Sequence, residues 1–345
     1  MVRRRPERPL AVLLLCHDTL VPPPGTRAYD RRRPPEWRTE HDVLAALRDL
    51  GHAVTVAGVQ HDVEELLGAV RRTRPDVIFN LLVEFHSTPA FDQHVASLYE
   101  LLQVPYTGCN PRGLTLARDK ALSKEVLAAH GVDVPRFQLF ERGARIARHG
   151  ALPFPLLVKS RTEEASLGIA RASLVRDERA LARRVRFVHE HLGTDALAEE
   201  FLDGRELYSA LLGGARPRVL PTWELAFTRR PRTHPAIATR AVKFSPAAQR
   251  RLGVVNRAAR LPPALERRVA AAARATWRAL GLSGYARIDL RLTPAGRLAV
   301  LEANPNPELA RGEDFADAAA AAGLAYPALI QRLLELARAA AAARA

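Results

Sequence analysis

At 345 residues the chain is too long for one small core and suits two or three packed units, and 48% hydrophobic content marks it as globular. Its two cysteines, Cys16 and Cys109, exclude a disulfide framework or a cysteine metal cluster and point to a reducing, cytoplasmic setting. The net charge of +15 invites a nucleic-acid reading, but the arginines are spread along the whole chain without aromatic interleaving, so we read a compositional bias and no specific nucleic-acid surface.

In chain order, Met1 to Pro9 is basic and Leu10 to Cys16 is apolar. The run is too short and too poor in small residues for a secretory signal and reads as a buried first strand. A Pro- and Arg-rich stretch, Val21 to Trp37, then reads as a loop at the site end of a sheet, followed by an amphipathic helix from Thr39 to Leu50. Ala53 to Val59 (strand), His61 to Arg72 (helix), Asp76 to Val83 (strand), Phe91 to Leu102 (helix) and Val104 to Thr107 (strand) continue the alternation. That pattern predicts a parallel sheet with helices on both faces.

A helix over Asp119 to His130 opens a second, α+β region, with strands at Arg136 to Phe140, Phe154 to Ser160 and Ala196 to Leu202 and a helix at Arg179 to His191. Its polar loop runs from Arg161 to Gly168. The third region carries strands at Glu206 to Leu212, Val219 to Phe227, Ala286 to Leu292 and Leu298 to Ala303, with helices at Pro263 to Leu280 and from Tyr326 onward. The expected division is 1–112, 113–203 and 204–345. No segment approaches the ~20 apolar residues of a membrane span.

Of 52 basic residues only Lys120, Lys124, Lys159 and Lys243 are lysine. Where arginine is the default cation, a retained ammonium suggests a point charge set against phosphate. The most informative segment is Gly284 to Leu309, GYARIDLRLTPAGRLAVLEANPNPEL, read as two strands joined by the turn Thr293 to Gly296. Period two puts Arg287 and Asp289 on one face, and Glu302 and Asn304 on one face of the returning strand. Asp289 then falls opposite or nearly opposite Glu302. Facing carboxylates are unfavourable unless something positive lies between them. Either the oxygens hold a magnesium ion or the face is solvated, its charges paired by Arg287 and Arg291.

R-x-D followed by E-x-N-P resembles the metal signature of ATP-grasp enzymes, and of the D-alanine–D-alanine ligases most. Phe79-Asn80-Leu81, Val104 to Gly108, Asp119-Lys120 and Val158-Lys159 match in the order the family requires. The resemblance implies an ATP-grasp fold with an N-terminal Rossmann-like (pre-ATP-grasp) domain, and an ATP-dependent ligase that joins a carboxylate to an amine through an acyl-phosphate. It implies metal ligation by Asp289, Glu302 and Asn304, and stabilisation of the tetrahedral intermediate by Arg287. Lys120, Lys159 and Lys243 become nucleotide contacts; Glu199, Glu200 and Leu202 become the adenine hinge, with Glu206 on the ribose. The loop Glu163 to Ile169, with Ser166, becomes the phosphate lid. ATP, magnesium or manganese, and small carboxylate and amine substrates, amino acids above all, are the implied partners, and a homodimer stays an open alternative.

Three segments depart from the family: Cys16 to Thr19 after the first strand, Leu82 to His86 after the third, and Pro307 to Arg311 after the metal strand. All fall on the substrate pockets and none on the nucleotide site, which implies a changed substrate within the same chemistry. A ligase for other amino acids or peptides, and a nucleotide-binding regulator without chemistry, are the alternatives. Of eleven histidines, His86 is singled out because it follows the third strand at the expected ligand-binding end of the sheet.

Overall fold

The structure, a computed structural model, describes residues 8–163, 167–229, 231, 237 and 239–344. In the N-terminal part β1 (Ala11–Cys16), α1 (Arg38–Asp49), β2 (Ala53–Gly58), α2 (Val63–Thr73), β3 (Val77–Asn80) and α3 (Asp92–Leu101) alternate. The three strands are parallel in the order β2-β1-β3. Period two sends Leu13 and Leu15 to one core and Val12, Leu14 and Cys16 to the other, so both faces of β1 are buried. The expected strand at Val104 to Thr107 is reduced to a single bridge between Ile78 and Tyr106.

Two helices follow: α4 (Pro111–Arg118), which the sequence did not lead us to expect and which is capped by the Asn110 side chain on the Gly113 amide at 2.9 Å, and α5 (Lys120–Ala129), the helix expected over Asp119 to His130, capped by Asp119. They lie against α3 and the C-terminal sheet. A four-stranded antiparallel sheet, order β4-β7-β5-β6, is built from β4 (Phe137–Phe140), β5 (Leu156–Ser160), β6 (Leu174–Val175) and β7 (Ala196–Glu200). With α6 (Glu178–Phe187) it has its own core around Leu156, Val158 and Val185.

The largest sheet contains β8 (Arg205–Gly213), β9 (Arg218–Val219), β10 (Trp223–Phe227), β11 (Val254–Ala258), β12 (Gly284–Leu292) and β13 (Leu298–Pro305). Its order is β11-β10-β8-β12-β13, with β9 beside β8. The expected single strand Val219 to Phe227 is broken at Pro221, which has no amide hydrogen to give to a ladder. Helices α7 (Arg240–Phe244), α8 (Pro246–Leu252), α9 (Pro263–Ala279), α10 (Asp314–Ala321) and α11 (Tyr326–Ala342) complete the chain. The α11 residues Leu329, Ile330 and Leu333 share a core with β1 and α1, so the C-terminus closes the first sheet. No helix among the described residues is long and apolar enough to cross a membrane.

Candidate active site

The β12–β13 hairpin turns at Gly296, whose φ of 84° suits glycine, with the Gly296 amide on the Thr293 carbonyl at 2.9 Å. From the turn the register runs Leu292 to Leu298, Arg291 to Ala299 and Leu290 to Val300, and then slips so that Asp289 faces Glu302 and Arg287 faces Asn304. Leu301 is the extra residue. Without this bulge Asp289 would oppose Leu301, and Glu302 would fall on the other face. Across β12, Asp289 also faces Tyr208, and Arg291 faces Glu206. One sheet face therefore gathers Arg287, Asp289, Arg291, Glu302, Asn304 and Glu206.

On that face Arg287 holds Asp289 with two nitrogens, at 2.7 and 2.9 Å, and gives a third bond to Asp314 at 2.8 Å. Its guanidinium lies 4.5 Å from the Tyr208 ring centre. Burial lifts the Asp289 carboxyl to about 6, against the pull of Arg287 and Lys243. Burial would lift Glu302 as well, but Lys120, Lys159 and Lys243 outweigh it and hold that group at about 2. The Asn304 amide nitrogen points to the Arg287 carbonyl at 3.5 Å, which leaves its oxygen as an acceptor.

The lysines converge here. Lys120 pairs with Glu302 at 3.1 Å and donates to the Glu163 carbonyl at 2.7 Å; Lys159 on β5 pairs with Glu199 at 2.9 Å. Lys243, on α7, lies within electrostatic reach of both Asp289 and Glu302. The one lysine without an assigned role, Lys124, is 2% exposed and sits 3.1 Å from the other oxygen of Glu199. The sequence carried a signal for it: Lys120 and Lys124 are four apart on one helix, which places them on one face. Asp314 was also missed, because it lies beyond the hairpin on α10 and only tertiary packing brings it to Arg287.

Glu199 is 3% exposed, and despite its burial the two ammoniums keep its carboxyl below the usual range. The Glu200 amide already donates to the Arg136 carbonyl at 2.8 Å, and its carboxylate is taken by Arg136 at 2.9 Å and Arg297 at 2.6 Å. Of the hinge residues it is Leu202 whose amide makes no hydrogen bond among the described residues. Glu206 accepts from Arg291 at 2.8 Å and from the Tyr208 hydroxyl at 2.9 Å. Ser166 lies outside the described residues; at the edges of the lid, Gly168 accepts from Arg184, and the Ile169 carbonyl accepts from the Arg240 amide at 3.3 Å.

Among the described residues no three His, Cys, Asp or Glu side chains are grouped to hold a metal by themselves. Two carboxylates and one amide oxygen are hard donors that leave half of an octahedron to water and phosphate oxygens, which fits magnesium on a nucleotide rather than an all-protein cage. The open alternative of mutual charge pairing is present in part, since Arg287 does pair with Asp289; Arg291 instead pairs with Glu206.

Of the three departing segments, the first two meet each other and the third meets the start of α1. His17 comes within 3.9 Å of Glu84, and Arg38 binds Glu308 at 2.7 Å and Glu313 at 2.5 Å. Thr39 donates to Glu308 at 3.0 Å, and Asp42 accepts from both the Tyr29 hydroxyl and the Arg311 amide at 3.0 Å. Through Asp314, next to Glu313, this cluster abuts the partner of Arg287. His86 is exposed, and its ring lies 5.8 Å from that of His61 at a tilt of 46°.

A family model described as D-ala D-ala ligase C-terminus matches residues 126–335. The chain is 33% identical, over 327 residues and 88% of each chain, to the uncharacterized protein y4sG of Sinorhizobium fredii. It is also 33% identical to the D-alanine–D-alanine ligase of Desulforudis audaxviator over 304 residues, 87% of this chain and 93% of that one. Among solved structures, the D-alanine–D-alanine ligase of Bacillus anthracis complexed with ATP superposes with a TM-score of 0.74 at 20% identity, covering 97% of this chain and 99% of that one. At that identity the superposition speaks to the fold.

Proposed function

The chain belongs to the D-alanine–D-alanine ligase family of ATP-grasp proteins, and on that premise we propose that it is an ATP-dependent ligase whose reaction centre is the charged face of the β12–β13 hairpin. A carboxylate oxygen forms a bond to the γ-phosphorus of ATP as the bond to ADP breaks. The lone pair of an amine then attacks the acyl carbon, and phosphate leaves from the tetrahedral intermediate. No side-chain nucleophile is required, so catalysis rests on position and charge.

Arg287, locked by Asp289 and Asp314, presents a fixed guanidinium to the oxyanion of the tetrahedral intermediate. Lys120, Lys159 and Lys243 offset triphosphate charge, and Glu199, Glu200 and Leu202 line the adenine side, with Glu206 at the ribose. Magnesium, or manganese in its place, held by Asp289, Glu302 and Asn304, supplies further charge neutralisation. The loop from Glu163 to Ile169, with Ser166, covers the acyl-phosphate and excludes water. We keep the division 1–112, 113–203 and 204–345 as functional units.

The observation that carries this reading is the slip of register that turns Glu302 toward Asp289 beside Lys120. The substrates are amino acids or their small derivatives. Glu308, held by Arg38, stands in one of the segments where the family's substrate-binding residues are replaced, and supports a carboxylate and amine other than two D-alanines. Phosphate release from ATP measured against a panel of D- and L-amino acids tests both points. Release with some member of the panel, dependent on magnesium, is expected; release with D-alanine alone would sink the changed specificity, and no release with any member would count against the ligase.

A further inference from the structure

The fourth lysine stands apart from the three that face nucleotide phosphates. Its ammonium donates to the carbonyl of Leu301 at 2.8 Å and lies 3.1 Å from Glu199 Oε2. Leu301 is the residue that the register slip leaves without a partner on β12. The extra residue of a bulge is unpaired in the ladder, so its buried carbonyl needs another donor. Lys124 supplies one. Glu199 Oε2 makes no aligned hydrogen bond, so the hold of Lys124 on it is one of charge. One ammonium thus joins β7 of the four-stranded sheet to β13 of the large sheet, next to Glu302.

The arrangement is costly unless it has a use. Burial pushes the Lys124 ammonium below its ordinary range even though Glu199 opposes the shift, and the neighbouring Lys159 adds to it. A bulge can form without a buried lysine, and β12 would pair in straight register if Leu301 were not held out. We infer that Lys124 is a positioning residue: by pinning the Leu301 bulge and Glu199 together, it turns Glu302 toward Asp289 and couples magnesium binding to nucleotide binding. This rests on the nucleotide and metal roles given to the hairpin face above.

The test titrates ATP calorimetrically into the full chain, once with excess magnesium chloride and once with EDTA. The ratio of the two Kd values measures the coupling. Lys124→Met should reduce that ratio at least about fivefold, because Glu302 is no longer held in place, whereas a general loss of structure would weaken both titrations alike. Lys159→Met is the control: it should weaken ATP with and without magnesium. An unchanged ratio in Lys124→Met, with Lys159→Met behaving as stated, overturns the positioning role alone. If the parent shows no gain from magnesium, or Lys159→Met binds ATP as the parent does, the site reading fails and takes this inference with it. Should Lys124→Met not fold, the double variant Lys124→Met/Glu199→Gln restores the net charge of the Lys124, Lys159 and Glu199 group and is read against Glu199→Gln by the same ratio.

Discussion

Asp289 and Glu302 face each other across β12 and β13, yet their carboxyls are driven in opposite directions, one up to about 6 and the other down to about 2. Asp289 is buried with one guanidinium as its main compensation, while Glu302, with 26% of its side chain exposed, is ringed by Lys120, Lys159 and Lys243. The pair is asymmetric because the cations are. Asp289→Asn and Glu302→Gln should each lower magnesium-dependent ATP turnover by ~100-fold or more, since each removes a charged oxygen from the proposed metal site. Phosphate release under saturating amino acid reads this directly, and turnover within a few-fold of the parent in either variant would remove the metal role.

Arg287 is fixed from two sides, by Asp289 and by Asp314, and the ring of Tyr208 closes a third. Arg287→Lys keeps the charge but loses the fork, so kcat should fall by roughly 100- to 1,000-fold with the KM for ATP moved only a few-fold. Asp314→Asn acts only through the orientation of Arg287 and should cost about tenfold in kcat. Equal losses in the two variants would mean that Asp314 does more than orient.

Gly204 opens the turn into β8 at φ 138°, and an added Cβ there would lie 2.1 Å from the Leu292 carbonyl oxygen. The obstruction is backbone, so it cannot rotate away. Gly204→Ala should therefore destabilise the fold by about 2 kcal/mol or more and loosen the hinge between Glu200 and Glu206. Urea unfolding measures the first effect, and a rise in the Kd for ATP the second; a variant as stable as the parent would show that the turn can relax.

How much of this was legible depends on whether the signal was local. The apolar run marked β1 as buried, and period two gave the faces of the hairpin and brought Asp289 to within one residue of its partner. The final residue of register came from a bulge, which needs Lys124 from a distant helix to satisfy it and leaves no mark in β13 itself. The breaks at Pro221 and at the Asn110 cap were readable in principle, since both follow from missing or capping hydrogen bonds. Strand β11 was not, because its residues are mostly exposed and it is a strand through pairing with β10 alone. The partnership of Asp314 with Arg287, and of Arg38 with Glu308 and Glu313, joins residues far apart in the chain, and no spacing announces it.

Glu40, in the first turn of α1, is 4% exposed, and its Oε2 has no hydrogen-bond partner among the described residues. Burial raises its carboxyl to about 7, its own amide opposing and the charge of Glu308 adding to the rise. The folded pKa lies above the ordinary value of 4.5, so the native state binds the extra proton and stability falls as pH rises through that window. Below pH 4.5 the group is protonated in both states and costs nothing; above about pH 7 it is ionised in both and the full penalty is present, on the order of 3 kcal/mol. Glu40→Gln removes that penalty at the price of one buried amide, so it should exceed the parent in stability by ~2 kcal/mol at about pH 8.5 and match it near pH 4.5. Urea unfolding of both proteins at the two pH values gives the answer. A constant difference across the range would mean that Glu40 is ionised, and compensated, throughout.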